Sequence, residues 1–219
     1  GISRAGWICP LAISKKSSIN YWISVSGPNH LDNMFHLLTT NWAIEGKSKG
    51  EVKELGKEWL DGFKIQREGG TYAEYQNATP SLERDSFMNK IRGEYNEERF
   101  LKFQTYLIEN KVKIDKETGL QIMLEDFDKV LNKVNIPVLA IFGENDSQVD
   151  WKETIKLYQN TIGNSSTLKI KSIPGCNHFI KTCETGGYGE TRKVLKAKGL
   201  GQVCPDYLTT IKNWVKDKI

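Results

Sequence analysis

The segment Ile136-Pro137-Val138-Leu139-Ala140-Ile141-Phe142 is almost uninterruptedly apolar and stops at Gly143. A strand with one wet face alternates polar and apolar residues. A run without that alternation suits a parallel strand buried on both faces, between two layers of helix. The neighbouring sequence supplies partners for it. Downstream, a helix is predicted from Trp151 to Ile162 with Gly163-Asn164 as its stop, and Asp150 is placed to cap it. Thr167 to Ile173 then alternates as a sheet-edge strand would. A last amphipathic helix, Tyr207 to about Lys216, carries Leu208, Ile211, Trp214 and Val215 on one face. Upstream, Ile19 to Ser26 is rich in aromatic and β-branched residues and is stopped by Gly27-Pro28. The first residues, with Ile2, Trp7, Ile8, Leu11, Ala12 and Ile13, read as a buried helix starting near Ser3. That start accommodates Pro10 in a first turn with spare N–H groups.

Between these flanks the character changes. Leu55, Trp59 and Phe63 recur at i, i+4, i+8, and Phe100, Phe103, Tyr106 and Leu107 at i, i+3, i+6, i+7, each making one apolar face of a helix. Trp42, Trp59, Phe63, Phe100 and Tyr106 read first as the core of this helical region, with the lining of an apolar pocket as the alternative. The expected fold class is therefore α/β, a mostly parallel sheet with helices on both faces, interrupted by a helical insertion. The expected organisation is core at 1–30, insertion at 31–131 and core again at 132–219.

Composition excludes several classes. Hydrophobic residues are 38% and charged residues 26%, a globular balance. No apolar run approaches the roughly 20 residues of a membrane span. Lys+Arg 31 against Asp+Glu 27 leaves a net charge of +4 with the signs interspersed, unlike the one-sided basic stripe of a nucleic-acid surface. Cys9, Cys176, Cys183 and Cys204 lack paired C-x-x-C spacing, so no metal and no cofactor is expected. A bridge from Cys176 or Cys183 to Cys204 stays open, and so does the redox compartment. Oligomeric state and location are not fixed by the sequence.

Three loops carry the candidate chemistry. In Gly1-Ile2-Ser3-Arg4-Ala5-Gly6, small residues stand two before and two after a serine, as a tight strand-to-helix turn demands. The alternative is a serine cap in a glycine-containing loop. In Gly143-Glu144-Asn145-Asp146-Ser147-Gln148-Val149-Asp150, Asp146 is the chosen acid at the end of the buried strand. Glu144 is a further candidate, and Asp150 is assigned to the helix cap. In Ile173-Pro174-Gly175-Cys176-Asn177-His178, His178 follows a strand end and can reach the same sheet edge. His30 and His36 precede the acid loop and are weaker candidates, and Cys176 is an alternative nucleophile that lacks an elbow. Ser3 as nucleophile, His178 as base and Asp146 as its orienting acid form a triad in the order Ser, Asp, His.

In these residues the chain resembles the α/β-hydrolase superfamily, most nearly bacterial serine esterases and acyl-peptidase-like hydrolases with elbows of the type G-x-S-x-G-G-W-x-x-P-L-A. Here that stretch reads Gly1-Ile2-Ser3-Arg4-Ala5-Gly6-Trp7-Ile8-Cys9-Pro10-Leu11-Ala12. The Val25-Ser26-Gly27-Pro28, Gly143-x-x-Asp146 and Pro174-Gly-x-Asn177-His178 stretches are similar too. The resemblance implies cleavage of a small-molecule carboxylic ester, thioester or amide through an acyl-enzyme, with the Arg4 backbone N–H as one oxyanion donor. It also implies that the insertion is a cap and that this chain is the C-terminal half of the fold. Strands and a second oxyanion donor would precede Gly1, so the chain alone is expected to be inactive or nearly so. A peptidase or acyl-aminopeptidase of the same fold and a non-catalytic binding protein are the alternatives. A haloalkane-type dehalogenase would need Asp where Ser3 stands.

Overall fold

The structure is a computed structural model that describes residues 1–15, 18–164, 167–196 and 201–217. In chain order the elements are α1 Ala5–Ser14, β1 Trp22–Val25, α2 Met34–Ile44, α3 Lys49–Arg67, α4 Tyr72–Ala78, α5 Pro80–Arg84, α6 Ser86–Arg92 and α7 Glu97–Glu109. They continue with α8 Phe127–Leu131, β2 Val138–Gly143, α9 Trp151–Asn160, β3 Leu168–Ile173, α10 Tyr188–Lys196 and α11 Tyr207–Lys216. The chain divides into two compact units, one of residues 1–33 with 124–219 and one of residues 34–123. Segment 124–131 belongs to the first unit, whereas the sequence reading set it in the insertion.

The first unit is built on a parallel sheet of order β1-β2-β3. Every residue of β2 is buried, which is why its sequence shows no alternation. Val138, Ala140 and Phe142 point into one core with Ile13 of α1, Phe127 and Leu131 of α8 and Tyr158 of α9. Leu139 and Ile141 point into the other, with Val25, Ile173 and Trp214 of α11. The unit is therefore an α/β fold with helices on both faces of a parallel sheet. The sheet also gains a short edge. Gly1 donates to Ile23 O at 2.6 Å, Val25 N–H donates to Gly1 O at 2.9 Å and Ser3 N–H to Val25 O at 2.9 Å, so the first residues run parallel to β1.

Several expectations need adjustment. β1 is shorter than Ile19 to Ser26, because pairing begins where Trp22 N–H donates to Pro137 O. Helix α1 starts at Ala5, so Pro10 lies in its interior and removes the bond that Gly6 O would otherwise accept. On α11 the packed face is Tyr207, Ile211, Trp214 and Val215, and Leu208 is exposed.

The second unit is helical. Ser48 with Glu51 and Thr71 with Glu74 form capping boxes for α3 and α4, while Asp85 and Asn96 cap α6 and α7. Its core holds Leu38, Trp42, Leu55, Phe63, Leu82, Phe87, Phe100 and Leu107. Trp59 is half-buried and stacks on Phe63 at 5.8 Å. Phe103 and Tyr106, expected on the buried face of α7, are exposed. Among the described residues no helix is long and apolar enough to cross a membrane.

Candidate active site

Ser3 sits where the sheet edge hands over to α1, with φ of 52°. A non-glycine residue in this left-handed region costs about 1–2 kcal/mol, so the surrounding structure must hold it there. Two contacts do so. A Cβ on Gly1 would lie 2.4 Å from Ala5 Cβ, so the residues flanking the serine by two positions touch and must be small. A Cβ on Gly6 would lie 2.7 Å from Gly27 Cα, so α1 packs directly on the backbone that follows β1. Arg4 then begins the helix, and among the described residues its backbone N–H donates to no backbone or side-chain acceptor.

Asp146 and His178 are brought together. Asp146 Oδ2 and His178 Nδ1 are 2.8 Å apart, and the two residues are 3% and 4% exposed. The other carboxylate oxygen of Asp146 accepts the N–H groups of Gln148 and Val149 at 2.8 and 2.9 Å, which fixes the direction of the acid. The histidine loop is locked onto the end of β2. Asn145 N–H donates to Cys176 O at 2.9 Å and Glu144 N–H to Ile173 O at 3.0 Å. A Cβ on Gly143 would stand 2.3 Å from Cys176 O, so only glycine permits this approach. Asn177 Oδ1 accepts from Phe179 N–H and Lys181 N–H, which shapes the turn that carries His178.

The serine turn and the histidine loop meet on the end of β1. Ser3 is bonded to Val25, and the next residue, Ser26, donates its hydroxyl to His178 O at 2.7 Å. Ser26 is itself fully buried with φ of 47°. Among the described residues no hydrogen bond joins Ser3 to His178. The nearness of the two loops is carried by the Val25 carbonyl and the Ser26 hydroxyl.

Glu144, Asp150 and Cys176 are otherwise engaged. Glu144 accepts from Ser172 Oγ at 2.8 Å, and Asp150 accepts from Glu153 N–H as the cap of α9. His30 accepts at its carbonyl from Leu124 N–H, and His36 lies on α2 of the helical unit. Cys176 is bridged to Cys204, which removes it as a nucleophile and selects one of the pairings left open by the sequence. Burial pushes the Cys183 thiol up to about 11, so it is not a thiolate at neutral pH.

Some supporting residues carried no sequence signal strong enough to single them out. Ser147 Oγ donates to Gly186 O at 2.8 Å and Asn145 Nδ2 to Glu184 O at 3.0 Å, so the segment before α10 backs the acid loop. Glu190 organises that segment by accepting from the N–H groups of Glu184, Thr185 and Gly186. Both ties join residues 39 positions apart, which no local pattern reveals.

No family model matches the chain, and no curated protein matches it. Solved structures do resemble it. VinJ is similar over the whole chain, with 9% identity and a TM-score of 0.44, the chain covering 65% of that structure. An esterase from Thermogutta terrifontis, in a malate-bound structure, is similar over the whole chain at 14% identity and a TM-score of 0.41, with 64% of it covered. MenH from S. aureus is 15% identical at a TM-score of 0.36, again over the whole chain, with 67% of it covered. The chain thus spans less than two thirds of the first two.

Proposed function

We propose that the chain carries the nucleophile, base and acid of a serine hydrolase of the α/β-hydrolase type. Its substrate would be a small-molecule carboxylic ester, thioester or amide. The observation that carries this reading is the buried Asp146–His178 pair at the ends of parallel strands, tied through Ser26 to the strand end that also holds Ser3. In this reading Ser3 Oγ attacks the acyl carbon while His178 Nε2 takes its proton. The C–O, C–S or C–N bond to the leaving group then breaks, and His178 returns the proton to that group. Asp146, hydrogen-bonded to Nδ1, holds the tautomer that leaves Nε2 free to accept, and it stabilises the imidazolium that forms. The Arg4 N–H, unpartnered at the start of α1, donates to the developing oxyanion, where the positive end of the helix also lies. Water then enters by the same steps in reverse and releases the acid.

The organisation in this reading is a hydrolase core at 1–33 and 124–219 with a helical cap inserted at 34–123. An ester is preferred over a peptide, since no peptide-anchoring motif accompanies the triad. The test is labelling with a fluorophosphonate, with the modified residue mapped by mass spectrometry, on this chain and on a longer polypeptide that contains it. Modification at Ser3, lost in Ser3→Ala, is the expected result. A folded longer protein that stays unlabelled would move the assignment to a binding protein with a hydrolase fold.

A further inference from the structure

Within the helical unit a cavity of about 460 Å³ opens between α2 and α3. Its walls are two stripes of residues at helical spacing. Phe35, Thr39 and Ala43 recur every four residues along α2, and Val52, Gly56 and Leu60 do so along α3. Eight residues of helix rise about 12 Å, so the depression is a lengthwise groove and not a round pit. Gly56 forms its floor, because a Cβ there would stand 3.2 Å from the Phe35 ring. The volume falls in the range of small-molecule sites, and the lining is largely apolar.

The charge around the groove is uneven. Lys47, Lys49, Lys53 and Lys57 all border it. Lys57 is paired with Asp61, and Lys47 with Asp85. Lys49 and Lys53 have no ion-pair partner among the described residues. Glu51 and Glu54, on the same helix, line a different hollow, so no carboxylate of α3 borders the groove. Lys49 and Lys53 flank Val52 at the Ala43–Val52 end, while the stretch towards Phe35 and Leu60 carries one lysine, Lys57, whose charge is met by Asp61. The groove thus has a cationic end and a largely apolar length with no unpaired charge.

We propose that this groove binds a linear amphiphile with a single carboxylate head, of the fatty-acid class. The carboxylate lies between Lys49 and Lys53, and the alkyl chain runs along Val52, Gly56 and Phe35. A ligand with a cationic head would meet like charge, and a bulky ring system would not follow a straight groove between two helices. The site stands whether or not Ser3 is a nucleophile, since every residue in it belongs to the helical unit.

The experiment is a calorimetric titration of the intact chain with dodecanoate below its micellar concentration, with dodecyltrimethylammonium as the control of equal tail and opposite head. Dodecanoate is expected to bind saturably at one equivalent, and the ammonium more weakly. Lys49→Glu with Lys53→Glu should weaken dodecanoate about fivefold to tenfold and spare the ammonium. Ala43→Trp, at an exposed position whose side chain would fill the groove, should abolish binding of both. Circular dichroism melts of each variant establish that the fold persists. Equal affinity for the two head groups, no saturable binding, or dodecanoate binding indifferent to both variants would overturn the proposal. Self-association of the chain that Ala43→Trp removes would also overturn it, and would assign the groove to a second copy.

Discussion

Each unit contains a buried aspartate, and the two are alike in almost every local respect. Asp146 is 3% exposed and Asp85 is 5% exposed. Each accepts backbone N–H groups with Oδ1, from Gln148 and Val149 in one case and from Met88 in the other. Each presents Oδ2 to a basic side chain, at 2.8 Å to His178 and at 2.9 Å to Lys47. The difference lies beyond that partner. The Lys47 ammonium ends its chain, and Asp85 also accepts from Trp42 Nε1, so every contact of the cluster serves helix packing. His178 has a second ring nitrogen, and its loop is bonded to the same strand end as Ser3. Burial and charge pairing alone do not mark a catalytic acid. In the proposed function, what separates the two is whether the partner can pass on a proton.

Substitution by asparagine breaks the comparison most sharply. Under the proposed function, Asp146→Asn keeps the shape but favours the wrong imidazole tautomer, so acyl-ester turnover by a longer polypeptide that contains this chain should fall about 10⁴-fold. Thermal stability should change far less. Steady-state kinetics beside a melting curve would check this, and full activity in the variant would remove Asp146 from the triad. Next in size is Gly143→Ala. The new Cβ would stand 2.3 Å from Cys176 O, so the backbone of the histidine loop must move. A displacement of about 1 Å can cost about 10² in rate, and overpacking costs about 1–3 kcal/mol, so both readouts should fall together. Asp85→Asn should reverse the pattern of Asp146→Asn. It weakens a hydrogen-bonded ion pair beside Trp42 and lowers stability by about 1–3 kcal/mol, with turnover per folded molecule unchanged. A turnover loss in Asp85→Asn comparable with that in Asp146→Asn would end the distinction.

The parts of this picture visible in the sequence are those governed by local periodicity or a strand end. The unbroken run before Gly143 gives the central strand, and Asp150 directly before Trp151 gives the cap of α9. Small residues around Ser3 mark a tight turn, because the clash between positions 1 and 5 is local. The hydrogen bond from Ser26 to His178 O spans 152 positions and leaves no pattern to read, and for Cys204 the sequence left two partners open, Cys176 and Cys183. Periodicity also over-assigned. Phe103, Tyr106 and Leu208 fit an apolar helical face by spacing, yet α7 buries Phe100 and Leu107, and α11 packs Tyr207, Ile211, Trp214 and Val215. Spacing shows which residues share a face, but not how much of that face a neighbour reaches.

The smallest expected effect separates the charge of Asp85 from its shape. Burial alone would push this carboxyl up, but the Lys47 ammonium, the Met88 N–H and the Trp42 Nε1–H together hold it below its ordinary value of 3.8. A carboxyl whose folded value is depressed takes up a proton more readily in the unfolded chain. Its stabilisation is therefore complete above the ordinary value and is lost as pH falls through that value towards the folded one. The stability gap between the native chain and Asp85→Asn should be widest near about pH 6 and should narrow progressively as pH falls below about 4. Denaturant melts of both proteins across that range would measure it. A gap that stays constant through acid would mean that Asp85 acts through its two oxygens as acceptors and not through its charge. The resemblance to Asp146 would then be one of geometry alone.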